Sequence, residues 1–60
     1  MTNLERLRRD AGLTMMELSK KSGVSYAVIA KIEAGNIGSV TVKTILRLSE
    51  ALSCDPGKLF

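Results

Sequence analysis

Residues 12–35 read GLTMMELSKKSGVSYAVIAKIEAG and hold two helix starts separated by glycine stops. Thr14-Met15-Met16-Glu17 has the form of a capping box. The Thr14 hydroxyl can accept from the amide three residues on, and Glu17 can reach back to the amide of Thr14. Leu13 before the cap and Leu18 four residues after it form a hydrophobic staple. The grammar returns at Ser25, with Val24 and Ile29 as the staple. Gly12, Gly23 and Gly35 follow periodic segments and read as stops, since glycine tolerates the left-handed conformation that ends a helix.

Outward from this stretch the same signals recur. Thr41 is a third cap, with Val40 and Ile45 as its staple, and Thr2-Asn3-Leu4-Glu5 is a further box that opens the first helix. Asp55-Pro56 sets a capping carboxylate before a proline suited to a first helical turn. The spacing predicts helices over 3–11, 15–22, 26–34 and 42–52, with a fifth starting at 56. The longest connection is Gly35 to Thr41. No alternating β pattern competes, so the fold class is all-α.

Sixty residues make one domain at most, taken as 1–60. A chain this short buries only about 60% of the surface that its unfolded form exposes, so its stability margin is small. The single Cys54 cannot form an internal bridge, and there is no histidine, so a Cys/His zinc site is excluded and no metal or cofactor is expected. A lone cysteine fits a reducing compartment. The N-terminus MTNLERLRRD lacks the apolar run of a signal peptide, and no stretch approaches membrane-span length. These features read as a soluble cytoplasmic protein with no membrane partner. Nine Lys/Arg against six Asp/Glu give a net charge of +3, compatible with a polyanionic partner but weak evidence for one. Tyr26 and Phe60 are the two aromatics, too few for a single-strand binder built on base stacking. Without a nucleophile–base pair or a Gly-rich phosphate loop, the chain does not read as an enzyme.

On a helical wheel, Ile29 and Ile32 define the buried side of the third helix, flanked by Val28 and Glu33. The opposite side carries Ala27, Ala30, Lys31 and Ala34, with Tyr26 at the helix start. Alanine's helix propensity accounts for such a face, and so does close approach of a DNA groove or another protein. In the first helix Leu4, Leu7 and Ala11 make an apolar stripe that contains Arg8. A guanidinium there is expected to pair with Glu33, because a desolvated lone charge costs several kcal/mol or more; the alternative is snorkelling to water. The fourth helix covers the core with Ile45, Leu48 and Leu52, near Thr44 and Ala51, while Arg47 and Glu50 face out. Cys54 reads as a small buried hydrophobe.

Two short helices joined by a tight glycine turn resemble the helix-turn-helix of the phage repressor/Cro family, also called the Xre type. The resemblance runs from Leu4 to Phe60. It rests on Gly12-Leu13-Thr14, Glu17-Leu18-Ser19, Ser22-Gly23-Val24-Ser25, Ile29, Ile32-Glu33 and Gly35, then on Thr44 to Leu52 followed by Asp55-Pro56. It implies a compact, lambda-repressor-like bundle of about five short helices, with residues 26–34 as the recognition helix in the major groove. It also implies an Arg8–Glu33 ion pair, and commonly a homodimer on a two-fold symmetric operator. The family's base-reading positions fall on Tyr26, Ala27 and Lys31. Its phosphate-facing positions fall on Thr14 and Met15, and on Asn36 and Ser39 in the loop after Gly35. The amino end of the third helix, at Ser25, offers amides to phosphate, and Lys43 adds attraction.

The chain departs from the family pattern at informative places. Met15 stands where a phosphate-holding Gln is frequent, and only its backbone amide can replace that contact. Ala27 stands where a polar reader is frequent, and alanine can only meet a thymine methyl or exclude bulk. Val40 replaces a usual proline in a connection about one residue longer than the common form. Narrow base readout follows, with backbone contacts and DNA shape supplying much of the affinity. The function expected is therefore a DNA-binding transcriptional regulator, a repressor by resemblance. The alternative is a protein-interaction or oligomerisation module using Met15, Met16, Tyr26 and Ala27, including an antitoxin that binds both operator and toxin. The bland reading of the Met pair is that Met16 packs inside.

Overall fold

The computed structural model describes residues 3–38 and 40–59. The Thr2 box and the expectations placed on Ser39 and Phe60 lie outside the described residues. The elements are α1 (Leu4–Asp10), α2 (Met15–Ser22), α3 (Tyr26–Glu33), α4 (Val42–Ala51) and a terminal 3₁₀ helix (Pro56–Leu59). α2, α3 and α4 start where their caps and staples predict, and α1 starts one residue later than expected, after Asn3, which makes no side-chain cap bond. Their ends are one residue shorter than the apolar periodicity at α1, α3 and α4, because Ala11, Ala34 and Leu52 are the C-caps.

The expected fifth α-helix is corrected to this single 3₁₀ turn. The Lys58 amide donates to the Asp55 carbonyl at 2.9 Å, and the Asp55 carboxylate accepts from Gly57 at 3.1 Å. Four residues are too few for an i→i+4 ladder. The Leu59 carbonyl turns instead to the Asn3 amide at 2.9 Å and ties this turn to the start of α1.

α2 packs against both α3 and α4, α1 lies on α3, and the 3₁₀ turn seals the open side of α4. Leu4, Leu18, Val24, Ile29, Ile32, Leu48, Ala51 and Leu59 are buried together where these elements meet. The result measures 26 × 21 × 20 Å. Several expected faces shift. Ala11 is exposed rather than part of the α1 stripe, as it caps the helix beyond its last buried turn. Ile45, Leu52 and Cys54 are half-buried, and Leu48, Ala51 and Ser49 carry the buried side of α4. Of the pair of methionines in α2 it is Met15 that packs on the core, whereas Met16 is 51% exposed.

Three helices end alike. After α1, Gly12 and Leu13 donate to the Arg9 and Arg8 carbonyls; after α3, Gly35 and Asn36 donate to those of Ile32 and Lys31. After α4, Ser53 and Cys54 donate to Glu50 and Ser49. This is the Schellman pattern, and it needs a left-handed residue just past the cap. Glycine supplies it twice, while Ser53 adopts it at φ 52° despite its side chain.

Candidate nucleic-acid interface

One ion pair ties α1 to the inner side of α3. Arg8 and Glu33 form a two-pronged ion pair, Nε to Oε2 at 2.7 Å and Nη2 to Oε1 at 3.1 Å. The third donor arm, Nη1, reaches the Leu13 carbonyl at 2.8 Å. Both side chains are largely sequestered from water. The planar guanidinium thus fixes α1, the approach to α2 and the end of α3 with one group. The hydrogen bond to Glu33 holds Arg8 charged against the opposing pull of desolvation.

With Ile29 and Ile32 fully buried, the opposite side of α3 is left outward. Tyr26 is 44% exposed there, and Ala27, Lys31 and Ala34 are exposed. Ala30 is half-buried at the margin. Among the described residues Lys31 joins no ion pair; the two present are Arg8–Glu33 and an exposed Arg9–Glu5 pair one turn apart on α1.

The amino ends near this face are capped in the expected way. Thr14 Oγ1 accepts from the Glu17 amide at 3.1 Å, and the Thr14 amide donates to Glu17 Oε1 at 2.8 Å. The Thr14 amide first, and after it the Thr14 hydroxyl, hold the Glu17 carboxyl below the usual carboxylate range. Met15 and Met16 follow as the first two helical residues, whose amides have no partner inside the helix. Ser25 Oγ accepts from Val28 at 3.3 Å, and Thr41 Oγ1 accepts from Thr44 at 3.2 Å. The first turns of α3 and α4 contain no acid, and Lys43 is exposed in that of α4. Helix amino ends favour anions, so these two turns present positive potential without an internal carboxylate. Asn36 is exposed, with its amide already given to Lys31.

Residues 4–59 match the helix-turn-helix family. The chain belongs to that family, of the phage repressor/Cro or Xre type. A helix-turn-helix relative in Sinorhizobium fredii, described as an uncharacterised HTH-type transcriptional regulator, is 39% identical over 51 residues. That match takes in 85% of this chain and 65% of the relative's length. No solved structure matches the chain. Within the helix-turn-helix frame, Thr14 and Ser25 cap α2 and α3, Met15, Tyr26, Ala27 and Lys31 lie on those helices, Asn36 lies in the loop after α3, and Lys43 lies in the first turn of α4. Among the described residues no helix is long and apolar enough to cross a membrane, and no cluster of His, Cys, Asp or Glu could hold a metal ion.

The turn between α2 and α3 is tied by two α2 side chains to which the sequence assigns no role beyond the family motif. Ser19 Oγ donates to the Val24 carbonyl at 2.7 Å. Ser22 Oγ donates to the Leu18 carbonyl at 2.7 Å and accepts from the Val24 amide at 3.2 Å. A signal for them existed: at helical spacing both serines share the inner side of α2 with Met15 and Leu18, where a polar group needs a partner.

Proposed function

We propose that the chain is a cytoplasmic, sequence-specific DNA-binding transcriptional regulator acting as a repressor, with residues 1–60 as its DNA-binding domain. One observation carries this reading: α3 is fixed from behind by Arg8–Glu33 and two buried isoleucines, and it presents Tyr26, Ala27 and Lys31 outward. In the proposed complex α3 enters the major groove. Lys31 donates to guanine O6 or N7, Ala27 packs on a thymine methyl, and Tyr26 meets a thymine methyl or a phosphate. Thr14, Met15, Ser25, Asn36, Ser39 and Lys43 meet the backbone on either side and set the register. The operator is two-fold symmetric and the protein binds it as a homodimer. The relative's description as a transcriptional regulator supports the reading.

Selection from a random duplex pool tests it. The expected outcome is recovery of paired half-sites about one helical turn apart. Affinity for them should fall with salt at a log–log slope of roughly −0.9 per neutralised phosphate. A flat salt response sinks the reading. A second reading is a protein-binding or antitoxin-type module, supported by Met16 at 51% and Tyr26 at 44% exposed beside Ala27. Lys31→Glu separates the two. Loss of duplex binding with self-association intact favours DNA, and unchanged duplex binding favours the second reading.

A further inference from the structure

Val24 is the residue through which the chain enters α3, and both of its backbone polar groups are held by α2 side chains. Its amide donates to Ser22 Oγ at 3.2 Å and its carbonyl accepts from Ser19 Oγ at 2.7 Å. The two bonds fix the peptide planes on either side of Val24. Since Val24 has only φ and ψ between those planes, fixing them sets the direction in which the chain leaves α2. Ser22 also donates to the Leu18 carbonyl at 2.7 Å, so its hydroxyl is oriented rather than rotating. The Val24 side chain is buried and cannot swing to compensate. Gly23 contributes the left-handed bend, φ 76°, but its own amide bonds only within the end of α2, to the Ser19 carbonyl.

We propose that Ser19 and Ser22 are positioning residues that set the angle of α3 against α2, and through it the base discrimination of Tyr26 and Lys31. The second half rests on the DNA-binding reading above; the first half does not. Hydrogen bonds to base edges are directional, whereas phosphate attraction is long-ranged and tolerant of small rotations. A change of angle therefore weakens discrimination and spares non-specific affinity.

The test uses Ser19→Ala, Ser22→Ala and the hydroxyl-retaining Ser22→Thr in the full chain, each at a temperature where circular dichroism shows it folded. Residual dipolar couplings of the backbone amides report the α2–α3 angle without DNA. Both alanine variants should reorient α3 as a rigid unit against α2, and Ser22→Thr should restore the original angle. Unchanged couplings in both alanine variants overturn the proposal. The same variants are then titrated with the site selected by the unsubstituted chain and with random duplex. The preference for the selected site should fall about tenfold, the scale of one lost base contact, with random-duplex affinity and salt slope unchanged. A merely structural role lowers the melting temperature but leaves that ratio intact, which overturns the proposal. If the unsubstituted chain selects no site, the DNA-binding reading fails and the discrimination half falls with it, while the couplings still decide the angle.

Discussion

The two sides of α3 are made from the same eight residues and serve opposite ends. The inner side is closed by Ile29, Ile32 and the Glu33 carboxylate under Arg8. The outer side offers the Ala27 methyl, one cation and one phenol, with half-buried Ala30 at its margin, and the cation joins no ion pair among the described residues. The difference teaches where substitutions register: on the inner side as stability, on the outer side as binding.

The comparison breaks most visibly at Glu33. Glu33→Ala leaves the Arg8 guanidinium sequestered beside the Leu13 carbonyl without its hydrogen-bonded counter-charge, at a cost of about 3–5 kcal/mol. A 60-residue domain has roughly that much in total, so thermal denaturation should find a chain largely unfolded at 25 °C. A melting temperature within a few degrees of the parent would mean that water solvates Arg8 well enough to make the pair dispensable. On the other side, Lys31→Ala should leave unfolding free energy within about 0.5 kcal/mol and weaken operator binding by about 1–3 kcal/mol. If it destabilises the fold instead, the outer side is not free surface.

Smaller effects sharpen the picture. Ser53→Gly should stabilise the chain by about 0.5–1 kcal/mol in chemical denaturation, because Ser53 sits at φ 52° in the position that Gly12 and Gly35 fill elsewhere. An unchanged midpoint would show that the serine's strain is offset locally. The smallest effect concerns Glu17, whose carboxyl is held low by Thr14. Such a group adds stability above its unfolded pKa and loses it as pH falls through the lower folded value. Carbon-13 titration should place the Glu17 midpoint below that of ordinary glutamates, and Thr14→Ala should raise it only part of the way, because the amide of residue 14 remains as the larger cause. Because Glu17 is exposed, unfolding stability should change little across that window.

Much of this was legible in the residues. Capping boxes and staples are local, so Thr14, Ser25 and Thr41 locate three helix starts without any tertiary information. Arg8 within an apolar stripe demanded a partner, and the wheel put Glu33 at the right edge. What escaped depends on chain path. The bonds from Ser19 and Ser22 to Val24 exist only once the turn is closed. The left-handed Ser53 carries no glycine to announce it, and the short turn after Pro56 is drawn toward Asn3 by a contact 56 residues away in sequence. Met16 reads in the sequence as the methionine that packs inside, whereas the pitch of α2 sends Met15 inward. The contacts of the outer face depend on a partner's chemistry as well as on this chain.

The bond from the Asn3 amide to the Leu59 carbonyl places both ends of the fold at one corner. Any polypeptide attached before Asn3 or after Leu59 therefore departs from neighbouring points. A linker of a few residues could join the ends and let the ring be reopened in the α3–α4 loop at Gly38, giving a circular permutant with the same core and a different order of synthesis.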